Sequence, residues 1–200
     1  MGQVRISLHP ALHELQMIQG LKNLAHVQGR AWLLLLFLFA GLLASSSLAD
    51  VIPPPFGLTW GQSDERIAKL LEGAKAKIVD KHMVAERDAW TVEGLLQPGL
   101  KRTIFYFKTG ALVEVELQYQ SPDWDLPKYD DFMNAVRKRI EQKYGPGQLI
   151  AKTRAPEGDV VQTIIGYKWN QDDTAIELFY YSAENGTQSY RTVSVHYKGY

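Results

Sequence analysis

The chain has 200 residues, with 22 basic and 22 acidic side chains, 46% hydrophobic residues and no cysteine. Zero formal charge without a basic stripe gives no electrostatic reason to expect a nucleic acid partner. The missing cysteine excludes disulfides, thiol catalysis, thiolate metal sites and lipidation at a lipoprotein signal.

The opening segment carries Arg5, Lys22 and Arg30 against one acid, Glu14, and leads into the apolar run AWLLLLFLFAGLLA at residues 31–44. Ser47-Leu48-Ala49 follows as a small-x-small site before Asp50. A positive flank, an apolar run and a small-residue site are the three parts of a secretory signal peptide, here residues 1–49 with cleavage between Ala49 and Asp50. Met17 offers a second start that leaves Lys22 and Arg30 as the charged flank. Met1-Gly2 does not open a myristoylation signal, because position 6 is Ile. The alternative is an uncut inner-membrane anchor, since the run approaches the roughly 20 residues of a spanning helix once Ser45, Ser46 and Ser47 are included. The expected location is the bacterial periplasm or the exterior, with membrane attachment only if the signal stays uncut. An exported chain without disulfides relies on its core alone, which fits the periplasm.

Residues 50–56 are a proline-rich lead-in, because Pro53, Pro54 and Pro55 form a stiff extended spacer. Residues 57–200 make up the α+β domain. Ser63 is a natural N-cap with Asp64 and Glu65 in the first turn, and Ile67, Leu70 and Leu71 share one apolar face before Gly73. From Lys77 the period becomes two, which predicts strands at residues 77–84 and 89–96 and a turn at Gln97-Pro98-Gly99. Residues 103–108 and 112–119 predict a hairpin around Thr109-Gly110. Val113, Val115, Leu117 and Tyr119 are assigned to the core, while Leu112, Glu114, Glu116 and Gln118 form a mostly wet face.

The loop SPDWDLPK at residues 121–128 leads to a helix from about Lys128, with Phe132, Val136, Ile140 and Tyr144 on one face and Gly145-Pro146 as its stop. Asp130 and Asp131 read as its first-turn acids. Strands follow at residues 148–154, 160–169, 174–181 and 190–198. Pro156-Glu157-Gly158, Asp172-Asp173 and Asn185-Gly186 supply the turns.

The order is helix then strands, twice over. It predicts two tandem helix-plus-antiparallel-meander units, at about residues 57–120 and 121–200. The run Gly61-Gln62-Ser63-Asp64-Glu65-Arg66-Ile67-Ala68-Lys69-Leu70-Leu71 resembles the helix opening of the BamE-like outer-membrane-assembly lipoproteins. The doubled element order resembles that of β-lactamase inhibitor protein. The resemblance implies a non-enzymatic envelope protein that binds other proteins, and it implies no functional residue.

No motif for a catalytic, nucleotide or metal site follows the signal, and no cofactor is expected. His82 lies in a charged stretch and reads as a wet strand or turn residue, and His196 points away from the row Val193, Val195 and Tyr197 and reads as a solvated strand residue. Asp123, Asp125, Asp130 and Asp131 lack the spacing, glycine and terminal glutamate of a calcium loop. Trp124 is the exception among the aromatics, because it stands in a wet loop between Asp123 and Asp125. These three residues are the candidate binding contacts. The leading expectation is an exported, non-enzymatic binding or assembly module whose partners are envelope proteins or peptides. A carboxylate-dependent hydrolase acting on envelope polysaccharide is the runner-up, because the separation of a carboxylate pair is set by folding.

Overall fold

Among the described residues, alternating Val, Leu and aromatic residues build eight strands, and all eight join one antiparallel sheet. The computed structural model describes residues 51–186 and 188–200. The signal-peptide reading, its cleavage at Ala49 and Asp50 and the Met17 start lie outside those residues. The strands are β1 (Lys77–Val84), β2 (Arg87–Glu93), β3 (Leu100–Lys108), β4 (Ala111–Tyr119), β5 (Gln148–Glu157), β6 (Val160–Gln171), β7 (Thr174–Asn185) and β8 (Gln188–Gly199). Helix α1 is Asp64–Gly73 and helix α2 is Leu126–Tyr144.

The sheet order is β1-β2-β3-β4-β8-β7-β6-β5. This corrects the expectation of two tandem helix-plus-meander units. The last strand, β8, pairs with β4 from Glu114↔Lys198 to Tyr119↔Val193, so the strands form one continuous sheet. Element order along a sequence reports which strands exist, whereas the partner of β8 is fixed by packing between distant segments. Val115, Leu117, Val193, Val195, Ile176 and Leu178 run across this central junction as one buried core with Ile67, Leu71, Met133 and Ile140 from the helices.

Local chemistry explains the helices. The Ser63 hydroxyl accepts from the Arg66 N–H and caps α1, whose Ile67 and Leu71 are buried. The segment before α1 is pinned to the β3–β4 turn by Gly61 N–H to Leu112 O at 3.0 Å and Asp64 N–H to Gly110 O at 3.1 Å. Helix α2 starts earlier than Lys128. Asp125 caps it by accepting from the Lys128 N–H at 3.0 Å, and Pro127 occupies its first turn, where no N–H is needed. Asp130 and Asp131 therefore lie beyond the first turn, which holds no acid.

The proline-rich lead-in belongs to the fold. Ile52 is fully buried, its N–H donates to Thr174 Oγ1 at 3.0 Å, and its carbonyl accepts from Trp60 Nε1 at 2.8 Å. No helix among the described residues is long and apolar enough to cross a membrane.

Candidate functional site

Beneath the loop that Trp124 tops, a groove of about 370 Å³ is lined by Lys101, Gln120, Ser121, Pro122, Trp124, Tyr129, Ser189 and Arg191. Three strand ends and one helix start supply it. Lys101 opens β3, Gln120 and Ser121 follow β4, Tyr129 is in the first turns of α2, and Ser189 and Arg191 open β8. The loop is fixed by its own hydrogen bonds. Trp124 N–H donates to Ser121 O at 3.2 Å, Asp123 N–H donates to Ser121 Oγ at 3.3 Å, and Tyr129 Oη donates to Ser121 O at 3.4 Å.

Trp124 is half-buried. Its ring lies edge-on to Tyr129 at 5.2 Å between centroids and 4.9 Å from Phe132, over Gly99. A Cβ on Gly99 would stand 2.6 Å from the indole, and Gly99 has φ +76°, so both the approach and the turn need glycine. Trp124 thus covers the start of α2 and lines the groove at once. Of its two acidic neighbours, Asp125 is occupied by the helix cap and Asp123 is exposed. Neither carboxylate lines the groove.

Arg191 is held from two sides. Nη2 meets Glu184 Oε1 at 2.6 Å and Nη1 donates to Ser189 Oγ at 3.0 Å. The hydrogen bond to Glu184 raises the guanidinium pKa above its ordinary value. The buried hydroxyl of Tyr180 lies against the same guanidinium and also favours its charged form.

The second concentration of chemistry is on the face of the sheet away from the helices. Glu114, Glu116 and Glu177 point there and are only 6%, 7% and 9% exposed, which corrects the reading of the Glu114 and Glu116 face as wet. Glu114 meets Arg87 Nη1 at 2.5 Å and His196 Nδ1 at 2.9 Å. Glu116 accepts from Tyr106 Oη at 2.9 Å and Gln118 Nε2 at 2.5 Å. Glu177 lies between Lys198 at 2.6 Å and Lys168 at 3.2 Å. His196 is therefore a member of a carboxylate network, 18% exposed in its side chain, and not a solvated strand residue. His82, by contrast, pairs with Asp80 in the open.

Burial alone would raise the carboxyl pKa of Glu114, but hydrogen bonds from His196 and Arg87 outweigh it and hold the group below the usual range. The same balance holds Glu177 low, through Lys198 and Lys168. No family model, no curated protein and no solved structure matches this chain. Among the described residues, no group of three or more His, Asp or Glu side chains is arranged to hold a metal.

Sequence reading reached Trp124 through its wet loop context. It missed Lys101, Gln120, Ser189 and Arg191, which are far apart in the chain and meet only because β4 pairs with β8. A signal for the carboxylate network was present: Glu114 and Glu116 alternate on one strand, as His196 and Lys198 do on another. Their opposite sign is legible, but their register is not.

Proposed function

We propose that this chain is an exported, non-enzymatic binding module that acts in the periplasm or outside the cell through the groove beneath Pro122 and Trp124. The observation that carries the reading is the groove itself. Its volume of about 370 Å³ falls in the range of small-molecule sites, about 300–1,000 Å³. Polar groups from three strand ends converge on it beside a half-buried indole, and a loop fixed by Pro122 and Pro127 loses little entropy on binding. Glycoside hydrolysis needs a carboxyl kept protonated near neutral pH. Glu114 and Glu177 are pushed the other way by their cations, so they favour binding over hydrolysis as the better reading.

The test is photo-crosslinking in cells with benzoylphenylalanine at position 122, which is exposed at the groove, and at Val79, exposed on the edge strand β1. The expected result is an adduct of one defined added mass at position 122 and none at position 79. Equal labelling at both positions, or none at either, overturns the groove as the binding surface.

A further inference from the structure

We propose, building on the groove reading above, that the groove takes the carboxylate of an acidic saccharide, with Lys101 pairing the charge and the exposed part of Trp124 packing on the sugar ring. The lining holds two cations, Lys101 and Arg191, and no acid. Arg191 is already neutralised by Glu184, whereas Lys101 has no ion-pair partner among the described residues. Lys101 is thus the charge left for a ligand.

Part of the backbone around the groove is already hydrogen-bonded. Gln120 N–H already donates to Gly99 O at 3.0 Å, and Ser121 O already accepts from Trp124 N–H and Tyr129 Oη. Leu100 and Tyr119 are paired with each other in the sheet. β8 pairs with β4 only from Val193 to Lys198, so residues 189–192 keep an unpaired edge beside the groove, and a hexaglutamate peptide tests that edge; a saccharide would be recognised by the lining side chains. Those side chains are an amide at Gln120, hydroxyls at Ser121 and Ser189, and the aromatic rings of Trp124 and Tyr129. Hydroxyls and an amide suit the many hydroxyls of a sugar, an aromatic surface suits its C–H face, and a single free ammonium suits one carboxylate per site. Asp123 and Asp125 stay outside the lining, so nothing acidic opposes that carboxylate.

The probe is trigalacturonate, titrated into the purified full chain while the indole N–H resonance of Trp124, assigned through Trp124→Phe, is followed by NMR. A saturable shift of that resonance is expected. Full methyl esterification of the probe, which removes the charge and keeps the rings, should weaken the apparent affinity at least about tenfold, the loss of one well-placed charge contact. Lys101→Gln should do the same with the melting temperature unchanged, because Lys101 is exposed and unpaired. Acid and ester binding equally well, or Lys101→Gln binding like the parent, overturns the carboxylate assignment. A hexaglutamate peptide that shifts Trp124 when trigalacturonate does not overturns the saccharide assignment. If no probe shifts Trp124 while position 122 still crosslinks, the groove reading stands and the acidic saccharide falls. If neither happens, both fall.

Discussion

The imidazole of His196 lies across the junction of β4 and β8 from Glu114, with Nδ1 2.9 Å from Oε1, diagonal to its register partner Glu116. Its Nε2 faces Ser194 Oγ at 3.2 Å and Glu116 at 3.7 Å. Arg87 reaches the same Glu114 carboxylate from β2, so one buried acid ties three strands together on the face without helices.

Removing that acid leaves Arg87 without its carboxylate partner and His196 with only the more distant Glu116 at 3.7 Å. Breaking a buried pair from one side costs about 3–5 kcal/mol, and Arg87 retains some contact with water, so Glu114→Ala should cost about 2–4 kcal/mol. Glu114→Gln keeps one acceptor and should cost less. Urea unfolding of the two variants measures this. An Ala variant within about 0.5 kcal/mol of the parent, the range of ordinary surface changes, would show that the network adds nothing.

The same groups set the acid limit. Glu114 and Glu177 have folded-state pKa values below those of the unfolded chain, because His196, Arg87, Lys198 and Lys168 favour their ionised forms. A lowered carboxyl pKa contributes stability that is fully present above the unfolded value, about 4.3, and is lost as pH falls through the folded value. Melting temperature should therefore drop steeply below about pH 4.3, and Glu177→Gln should flatten that drop. A melting temperature independent of pH in this window would remove the assignment.

How much was legible follows from which interactions are local. The Ser63 cap and the Gly145 stop are written within a few residues, and each appears in the structure near its expected place. The expected alternation of 112–119 places Val115, Leu117 and Tyr119 in the core, but beside the register shift at Tyr106 and Phe107 it is Leu112 and not Val113 that joins them, and Glu114 and Glu116 are buried on the other face. The start of α2 lies at Leu126 and not at Lys128, because Asp125 and Pro127 suit a loop and a cap with first turn equally well. Pro156 suits a turn by its local sequence, yet it lies in β5, an edge strand that tolerates a missing N–H. The sheet order and the burial of Glu114 and Glu177 depend on the pairing of β8 with β4 and β7, contacts between segments whose separation no local pattern encodes.

Helix α2 docks through Tyr129, Met133 and Ile140, with Phe132, Val136 and Tyr144 half-buried beside them. Ile140 is 7% exposed, so Ile140→Asp places an unpaired charge against the sheet. The expected cost is about 4 kcal/mol or more, enough to unfold a domain of ordinary stability. A thermal melt within a degree or two of the parent would mean that α2 is not held by this face.

Gly99 and Trp124 form a pair in which the small residue makes room for the large one. Gly99→Ala adds a Cβ that would stand 2.6 Å from the indole, at a backbone position with φ +76°. Strain at the turn and displacement of the ring together should cost about 1–3 kcal/mol. The change should also alter the indole resonance of Trp124, which separates ring displacement from backbone strain alone. An unchanged Trp124 signal with lowered stability would assign the whole effect to the turn.

Ile52 is fully buried and bonded to Thr174, while Val51 is 53% exposed, so packing in the described residues reaches within two residues of Asp50, the new N-terminus expected from cleavage after Ala49. A protease that needs an extended substrate should then meet that site before residues 51–200 fold, with cleavage accompanying export of the unfolded chain. Intact mass of envelope fractions should show a species beginning at Asp50, and deleting residues 2–16 should leave its yield unchanged because Met17, Lys22 and Arg30 retain a charged flank. Ala49→Tyr puts a bulky side chain where the small-x-small site needs a small one, so it should leave the full chain in the membrane pellet. Recovery of the parent chain uncut in that pellet would replace the released form with one tethered by residues 31–44.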